Sequence, residues 1–158
     1  MLIRSAVPAD TGEIFTLQRA AFVDEAWVYG TANVPSLTET LADTEARLAW
    51  SFTLVGTEAQ RLVGAVSLRS YRPGGPDVER LMVAPDRRRA GLATKLMTTA
   101  EAHVKASGES IIQLIVGELA TFNQKLYQRL GYTVAARFPL ESHPHVMLLS
   151  MTKELPGA

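Results

Sequence analysis

VAPDRRRAGLA, residues Val83 to Ala93, sets three consecutive arginines ahead of a glycine and several small residues, in a chain whose formal net charge is zero. On its own letters the stretch fits a nucleic-acid patch, a phosphate cradle or a solvated basic turn. Its flanks narrow the choice. Upstream, Asp77 to Val83 reads as a strand that Pro85 ends. Downstream, Ala93, Leu96, Met97, Ala100 and Val104 recur at helical spacing until Gly108 stops them. The arginines therefore sit at a strand-to-helix junction. The first amides of such a helix lack intrahelical acceptors, its dipole favours negative charge, and Gly91 with Ala93 lets a ligand approach the main chain. Phosphate is the natural guest. The dinucleotide and Walker A patterns, GxGxxG and GxxxxGK[ST], are both absent from the stretch.

Working outward, the 158 residues fit one domain, and 47% hydrophobic with 20% charged residues is the balance of soluble globular chains. Sixteen Lys and Arg against sixteen Asp and Glu leave no global positive field for polyanions or anionic membranes. The absence of cysteine excludes disulfides, a thiol nucleophile and zinc-thiolate sites. No signal-like start and no run of about eighteen apolar residues is present, so a cytoplasmic protein is expected.

Periodicity gives the element order. Leu2 to Val7 reads as a strand and Pro8-Ala9-Asp10 opens a helix carrying Ile14, Leu17, Ala20 and Ala21. Ala26 to Val34 reads as an irregular connection, after which Ser36 is an N-cap candidate for one helix carrying Leu37, Leu41, Ala42, Glu45 and Leu48. Phe52 to Gly56, Leu62 to Tyr71 and Asp77 to Val83 read as neighbouring antiparallel strands, with a turn at Arg72 to Pro76. Ile111 to Val116 suits a strand covered on both faces, Leu119 to Leu130 a helix, and Tyr132 to Phe138 and Val146 to Met151 two last strands. The expected fold is α/β, with about seven strands and four helices in the order βααβββαβαββ.

Within this frame, Val83-x-Pro85-x-x-Arg88-x-x-Gly91-x-Ala93 resembles the R/Q-x-x-G-x-G/A signature of the GNAT superfamily of acetyl-CoA-dependent N-acetyltransferases. Asn123-Gln124-Lys125-Leu126-Tyr127-Gln128-Arg129-Leu130-Gly131-Tyr132 is similar to the family's later L-Y-x-x-x-G-F/Y segment, in the family's order and at about its spacing. The resemblance implies a single GNAT domain over residues 1–158, with a mixed, mostly antiparallel sheet splayed between its fourth and fifth strands. It also implies acetyl-CoA as cosubstrate. Main-chain groups of Leu81, Met82 and Val83 would pair with the pantetheine arm. Amides of Arg88, Arg89, Ala90, Gly91, Leu92, Ala93 and Thr94 would hold the pyrophosphate. Many relatives carry glycine where this chain has Arg89. Asn123 lies four residues before Tyr127 on one helix face, so its amide could reach pantetheine; relatives often place that asparagine a turn earlier, and a solvated helix residue is the other reading.

The implied chemistry is attack of a primary amine on a thioester, which needs orientation, removal of a proton and help for a leaving thiolate. Tyr127 is the acid candidate, against a role in core packing. Glu79 is the base candidate, directly or through water. Two-residue alternation puts it on the same face as Leu81 and Val83, and surface pairing with Arg80 or Arg69 is the alternative. His103 reads as a packing residue. His143 and His145 fall in the expected connection between the last two strands, and without a third ligand they do not make a metal site. Trp27, Tyr29, Asp24 and Glu25 belong to a segment that in the family often helps form the acceptor site. The acceptor would be an amine-bearing small molecule or peptide, and a homodimer accords with the family tendency. A noncatalytic acyl-CoA sensor and a nucleic-acid module using Arg87 to Arg89 with Arg80 and Lys95 are the rival readings; balanced charge opposes the second.

Overall fold

The computed structural model describes residues 1–157. Seven strands form one sheet: β1 (Leu2–Ser5), β2 (Phe52–Glu58), β3 (Arg61–Arg69), β4 (Asp77–Val83), β5 (Ile111–Gly117), β6 (Thr133–Leu140) and β7 (His143–Glu154). Their order is β1-β2-β3-β4-β5-β7-β6, and every neighbouring pair is antiparallel except β4 with β5. This is the expected mixed sheet. Five α-helices cover it: α1 (Thr11–Tyr29), α2 (Pro35–Thr38), α3 (Leu41–Ala49), α4 (Leu92–Ala106) and α5 (Thr121–Arg129).

Two apolar layers hold the sheet. On one face Leu96, Met97, Ala100 and Val104 of α4 are buried against Val66, Leu68 and Val78, with Ile112, Leu114 and Met151. On the other, Ile14 and Leu17 of α1 pack on Val55, Val63, Ala65 and Met82. Burying side chains of this size stabilises by about 1.5–3 kcal/mol each relative to leaving them exposed.

Three local expectations are corrected. The helix expected from Ser36 is two helices. Val34 is the N-cap of α2, Pro35 occupies its first position and Ser36 is buried. Thr40 then opens α3: its hydroxyl accepts from the Asp43 amide at 3.1 Å, and its own amide donates to Asp43 at 2.9 Å. This reciprocal cap satisfies two orphan donors and restarts the helix at a new angle. The connection after the first helix is shorter than expected, because α1 continues to Tyr29 and ends only at Gly30, whose φ of 67° supplies the left-handed stop. His143 and His145 lie within β7 rather than in the connection, which is a tight hairpin at Glu141 and Ser142.

Candidate functional site: a splayed cleft beside a helix N-terminus

β4 and β5 pair only at Asp77 with Gln113 and Val78 with Leu114. Beyond Val78 the strands diverge, leaving the β5-facing edge of β4 unpaired. A polar knot fixes the point of divergence. Arg72 Nε donates to Asp77 Oδ1 at 2.8 Å, and Gln113 Nε2 donates to Asp77 Oδ2 at 3.2 Å and to the carbonyls of Pro73 and Gly75 at 3.0 and 2.8 Å. Burial pushes the Asp77 carboxyl above its usual range, against the opposing pull of Arg72 and Gln113. Gly75 has a φ of 110° and sits so close to the Ile111 carbonyl that no Cβ would fit, so the turn before β4 is pressed onto β5. The sequence reading passed over this knot. Its one signal was a glutamine and an aspartate inside otherwise apolar strands.

β4 also carries a bulge. Ala65 opposes Met82 while Ser67 opposes Glu79, so two steps along β3 match three along β4. Arg80 absorbs the extra residue with a φ of 51°. The consequence is a change of face: Val78 belongs to the α4-side core and Met82 to the α1-side core, although they are four residues apart. Glu79, opposite Ser67, therefore lies on the α1–α3 face, whereas Leu81 packs on the α4 side and Val83 touches both layers. The expectation that Glu79 shares a face with Leu81 is overturned, because alternation holds only while the ladder is uninterrupted.

The open edge of β4 leads to the arginine stretch. Pro85–Arg87 form a short 3₁₀ turn, and Arg88 to Ala90 stay exposed before α4 begins. Gly91 is the N-cap of α4 in a left-handed conformation, φ 76°, and offers no side-chain cap. The first-turn amides of Leu92, Ala93 and Thr94 thus have no intrahelical acceptor, and open space surrounds Gly91. Arg89 is also left-handed, φ 63°. A Cβ in that region costs roughly 1–2 kcal/mol, a strain the glycine implied there by the resemblance would not carry. The side chains of the triplet are largely engaged elsewhere. Arg87 pairs with Glu58 at 2.7 Å, and Arg88 pairs with Asp24 at 2.5 Å and donates to the Ala21 carbonyl at 2.9 Å. The stretch therefore presents main chain to a ligand and uses two of its arginines to brace the loop against β2 and α1.

α5 borders the cleft at the end of β5. Tyr127 is buried, its ring edge-on to Tyr132 with centroids 5.9 Å apart. Tyr132 is in turn fixed by a hydrogen bond to Glu101 at 3.0 Å, and Lys153 holds Glu101 at 2.7 Å. Burial raises the Tyr127 phenol above its ordinary value, so it stays protonated across the physiological range. Asn123 is exposed on the same helix, and Gln124 caps β5 by donating to the carbonyls of Gly117 and Glu118 at 2.9 and 2.7 Å. Tyr29 closes over Gly117 so tightly that a Cβ there would collide with its phenol oxygen. His103 stacks on Phe52 at 3.7 Å, a packing contact. The rings of His143 and His145 are 6.0 Å apart, and among the described residues no three His, Asp or Glu side chains converge as metal ligands.

An acetyltransferase family model, described as the GNAT family, matches residues 14–132. The chain belongs to the GNAT acetyltransferase family. The match spans the splayed strands, the uncapped helix and α5. Known structures repeat the fold over the whole chain. A ribosomal-protein-alanine N-acetyltransferase from Brucella melitensis is 20% identical, covers 98% of this chain and 100% of its own, and superposes with a TM-score of 0.76. The protein smu.2055 from Streptococcus mutans is 19% identical over 99% of this chain and 100% of its own, with a TM-score of 0.80. The yncA protein of Salmonella typhimurium, solved with its cofactor acetyl-CoA, is 22% identical over 100% of this chain and 95% of its own, with a TM-score of 0.75. Among curated protein sequences none matches the chain. The family's cosubstrate is acetyl-CoA, and the donor set here suits it: an open strand edge for an amide-bearing arm and free helix amides for a pyrophosphate. Among the described residues no helix is long and apolar enough to cross a membrane.

Proposed function

We propose that this acyltransferase is an N-acetyltransferase that acts as one domain and moves the acetyl group of acetyl-CoA to a primary amine by direct attack in a ternary complex. The observation that carries the reading is the divergence of β4 from β5 directly beside the uncapped N-terminus of α4. The β4 main chain at Leu81, Met82 and Val83 binds the pantetheine arm in strand fashion. The amides of Arg88, Arg89, Ala90, Gly91, Leu92, Ala93 and Thr94 receive the pyrophosphate, and Asn123 hydrogen-bonds the arm from α5.

In the transfer step the amine nitrogen bonds to the thioester carbonyl carbon, the carbon–sulfur bond breaks, and the ammonium proton passes to Glu79 directly or through water. Glu79 suits this task because it lies with Ser67 on the α1–α3 face, where an acceptor can enter without crossing the α4 core. Tyr127 assists the departing sulfur. An ordinary phenol titrates about 1.5 units above an ordinary thiol, so complete proton transfer would run uphill by about 2 kcal/mol even before burial is counted. The phenol therefore contributes a hydrogen bond to the thiolate as it forms, and the thiolate takes its final proton from solvent.

Isothermal titration with acetyl-CoA and desulfo-CoA, with duplex DNA as a control at physiological salt, tests the reading. Saturable binding of both CoA ligands but not DNA, followed by thiol release with an amine panel, is expected. A folded protein that binds neither CoA ligand would overturn it.

A further inference from the structure

On the α1–α3 face, beside the β4 bulge, lies a shallow, open depression of about 310 Å³ lined by Pro35, Thr38, Glu39, Asp43, Arg47, Arg69 and Arg80. Three guanidiniums and two carboxylates around one open depression raise the question of which of them are already engaged.

Both carboxylates are, Glu39 by guanidiniums and Asp43 by neutral donors. Glu39 is bound by Arg47 Nε at 3.0 Å, by Arg80 at 3.3 Å and by Gln18 at 3.3 Å. Burial pushes its carboxyl up, but the hydrogen bonds and charge from Thr44, Arg47 and Gln18 outweigh burial and hold it below its usual range, ionised. Asp43 is turned into the α3 cap, where it accepts from the Thr40 amide and hydroxyl at 2.9 and 2.7 Å. Arg47 is equally saturated, its other nitrogens reaching Ser67 at 3.4 Å and Gln18 at 3.0 Å.

The two remaining arginines are not. Arg69 has no carboxylate partner among the described residues and stacks over the Tyr71 ring at 4.8 Å, which orients a planar guanidinium without neutralising it. Arg80 makes one long contact to Glu39, and its Nε is buried with no hydrogen-bond partner. A buried guanidinium donor left unmet is costly, and the exposed part of the same guanidinium is open to an incoming anion. Arg80 also holds a left-handed backbone on the bulge, two residues past the last residue of β4 that pairs with β5, so the unmet charge is fixed where the cleft opens. Glu79 borders the same face through Ser67, which Arg47 contacts. The face thus offers a carboxylate for an amine and two guanidiniums for an anion.

We infer that the acceptor is a small amine that also carries a carboxylate, an amino acid or a very short peptide, whose carboxylate is bound by Arg69 and Arg80 while its amine faces Glu79. This rests on the acetyltransferase reading and narrows its substrate class. Polyamines and internal lysine side chains bring no carboxylate and would leave both guanidiniums unmatched.

The test is steady-state thiol release from acetyl-CoA with the protein amino acids, their carboxamides, spermidine and a lysine peptide blocked at both ends, alongside the acetyl-CoA titration. Free amino acids are expected to be acetylated, with the matching carboxamides at least about tenfold poorer in kcat/KM, the scale of a lost charge-assisted contact. Arg69→Gln should raise KM for the amino acid by about tenfold or more and narrow its advantage over the carboxamide, with the KM for acetyl-CoA as the control. Carboxamides, spermidine or the blocked peptide used as well as free amino acids would overturn the inference and leave the acetyltransferase reading standing. Binding of acetyl-CoA with no turnover of any amino acid would also overturn it. Failure to bind acetyl-CoA would remove both.

Discussion

The two walls of the cleft are built on different principles. The wall proposed for the cosubstrate is main chain: one strand edge and the first turn of one helix, contributed by a single continuous segment from Leu81 to Thr94. The wall proposed for the acceptor is side chains drawn from α1, the α2–α3 junction, α3, β3 and β4, namely Gln18, Glu39, Arg47, Arg69 and Arg80. A main-chain wall needs only small residues and permissive backbone, so it tolerates almost any side chain that points away. A side-chain wall is specific at every position. The difference teaches where variation in substrate is cheap: the second wall can be rewritten without disturbing the first.

The comparison can be broken most directly at its most interdependent point. Arg47→Ala leaves Glu39 buried with weakened compensation, and breaking one partner of a buried pair typically costs about 3–5 kcal/mol. Chemical denaturation should show a loss of that size, with acetyl-CoA affinity retained in the folded fraction. A loss below about 1 kcal/mol, the scale of a surface pair, would mean the acceptor wall is not integral to the fold.

At the reacting end, Tyr127→Phe should lower kcat about 10–100-fold while leaving the affinity for acetyl-CoA unchanged, the signature of a contact made only as charge develops on sulfur. An unchanged kcat in the thiol-release assay would reduce the tyrosine to a packing residue against Tyr132.

For the main-chain wall the sharpest probe is Gly91→Ala. The site has room for a methyl, so the cost is conformational, about 1–2 kcal/mol for a left-handed residue. Weaker acetyl-CoA binding by titration, with amino acid preference unaltered, would keep the two walls separate.

A pH series sharpens the acceptor wall further. Glu39 has a folded value below its unfolded one, so the stability it contributes is fully present above the ordinary glutamate range near 4.5 and is lost as the pH falls through the lowered value. Denaturation midpoints of the parent protein should therefore drop on the acid side of 4.5 more steeply than those of Glu39→Gln. The smallest effect expected is from Arg89→Gly. It removes a strained Cβ but frees the unfolded chain, so net stability should stay within about 1 kcal/mol by thermal melting.

These walls also differ in how far they could be read in advance. Asp77 to Val83, the glycine at 91 and the helical recurrence from Ala93 to Val104 are local signals of strand, cap and helix, and the structure has β4, a left-handed N-cap and α4 there. The splay between β4 and β5 follows the family resemblance as expected. Period-two reasoning failed at Arg80, because a bulge is an agreement between two strands and leaves no mark in either alone. Helix reasoning failed between Thr38 and Leu41, where Thr40 and Asp43 restart the chain through a cap whose acidic member is Asp rather than the usual Glu or Gln. The Arg47–Glu39–Arg80 network was out of reach for a further reason: its members stand 8 and 41 residues apart, and no local periodicity links them.

What the sequence determined by itself was the order of the strands and of α1, α4 and α5, the strand-to-helix junction at Arg88 to Thr94 and the family that the junction resembles, since propensity, capping and hydrophobic period act over a few residues. Only the tertiary structure decided which face Glu79 occupies, which arginines brace the loop and which remain unmatched, because pairing between distant strands and charges depends on the register of the whole sheet.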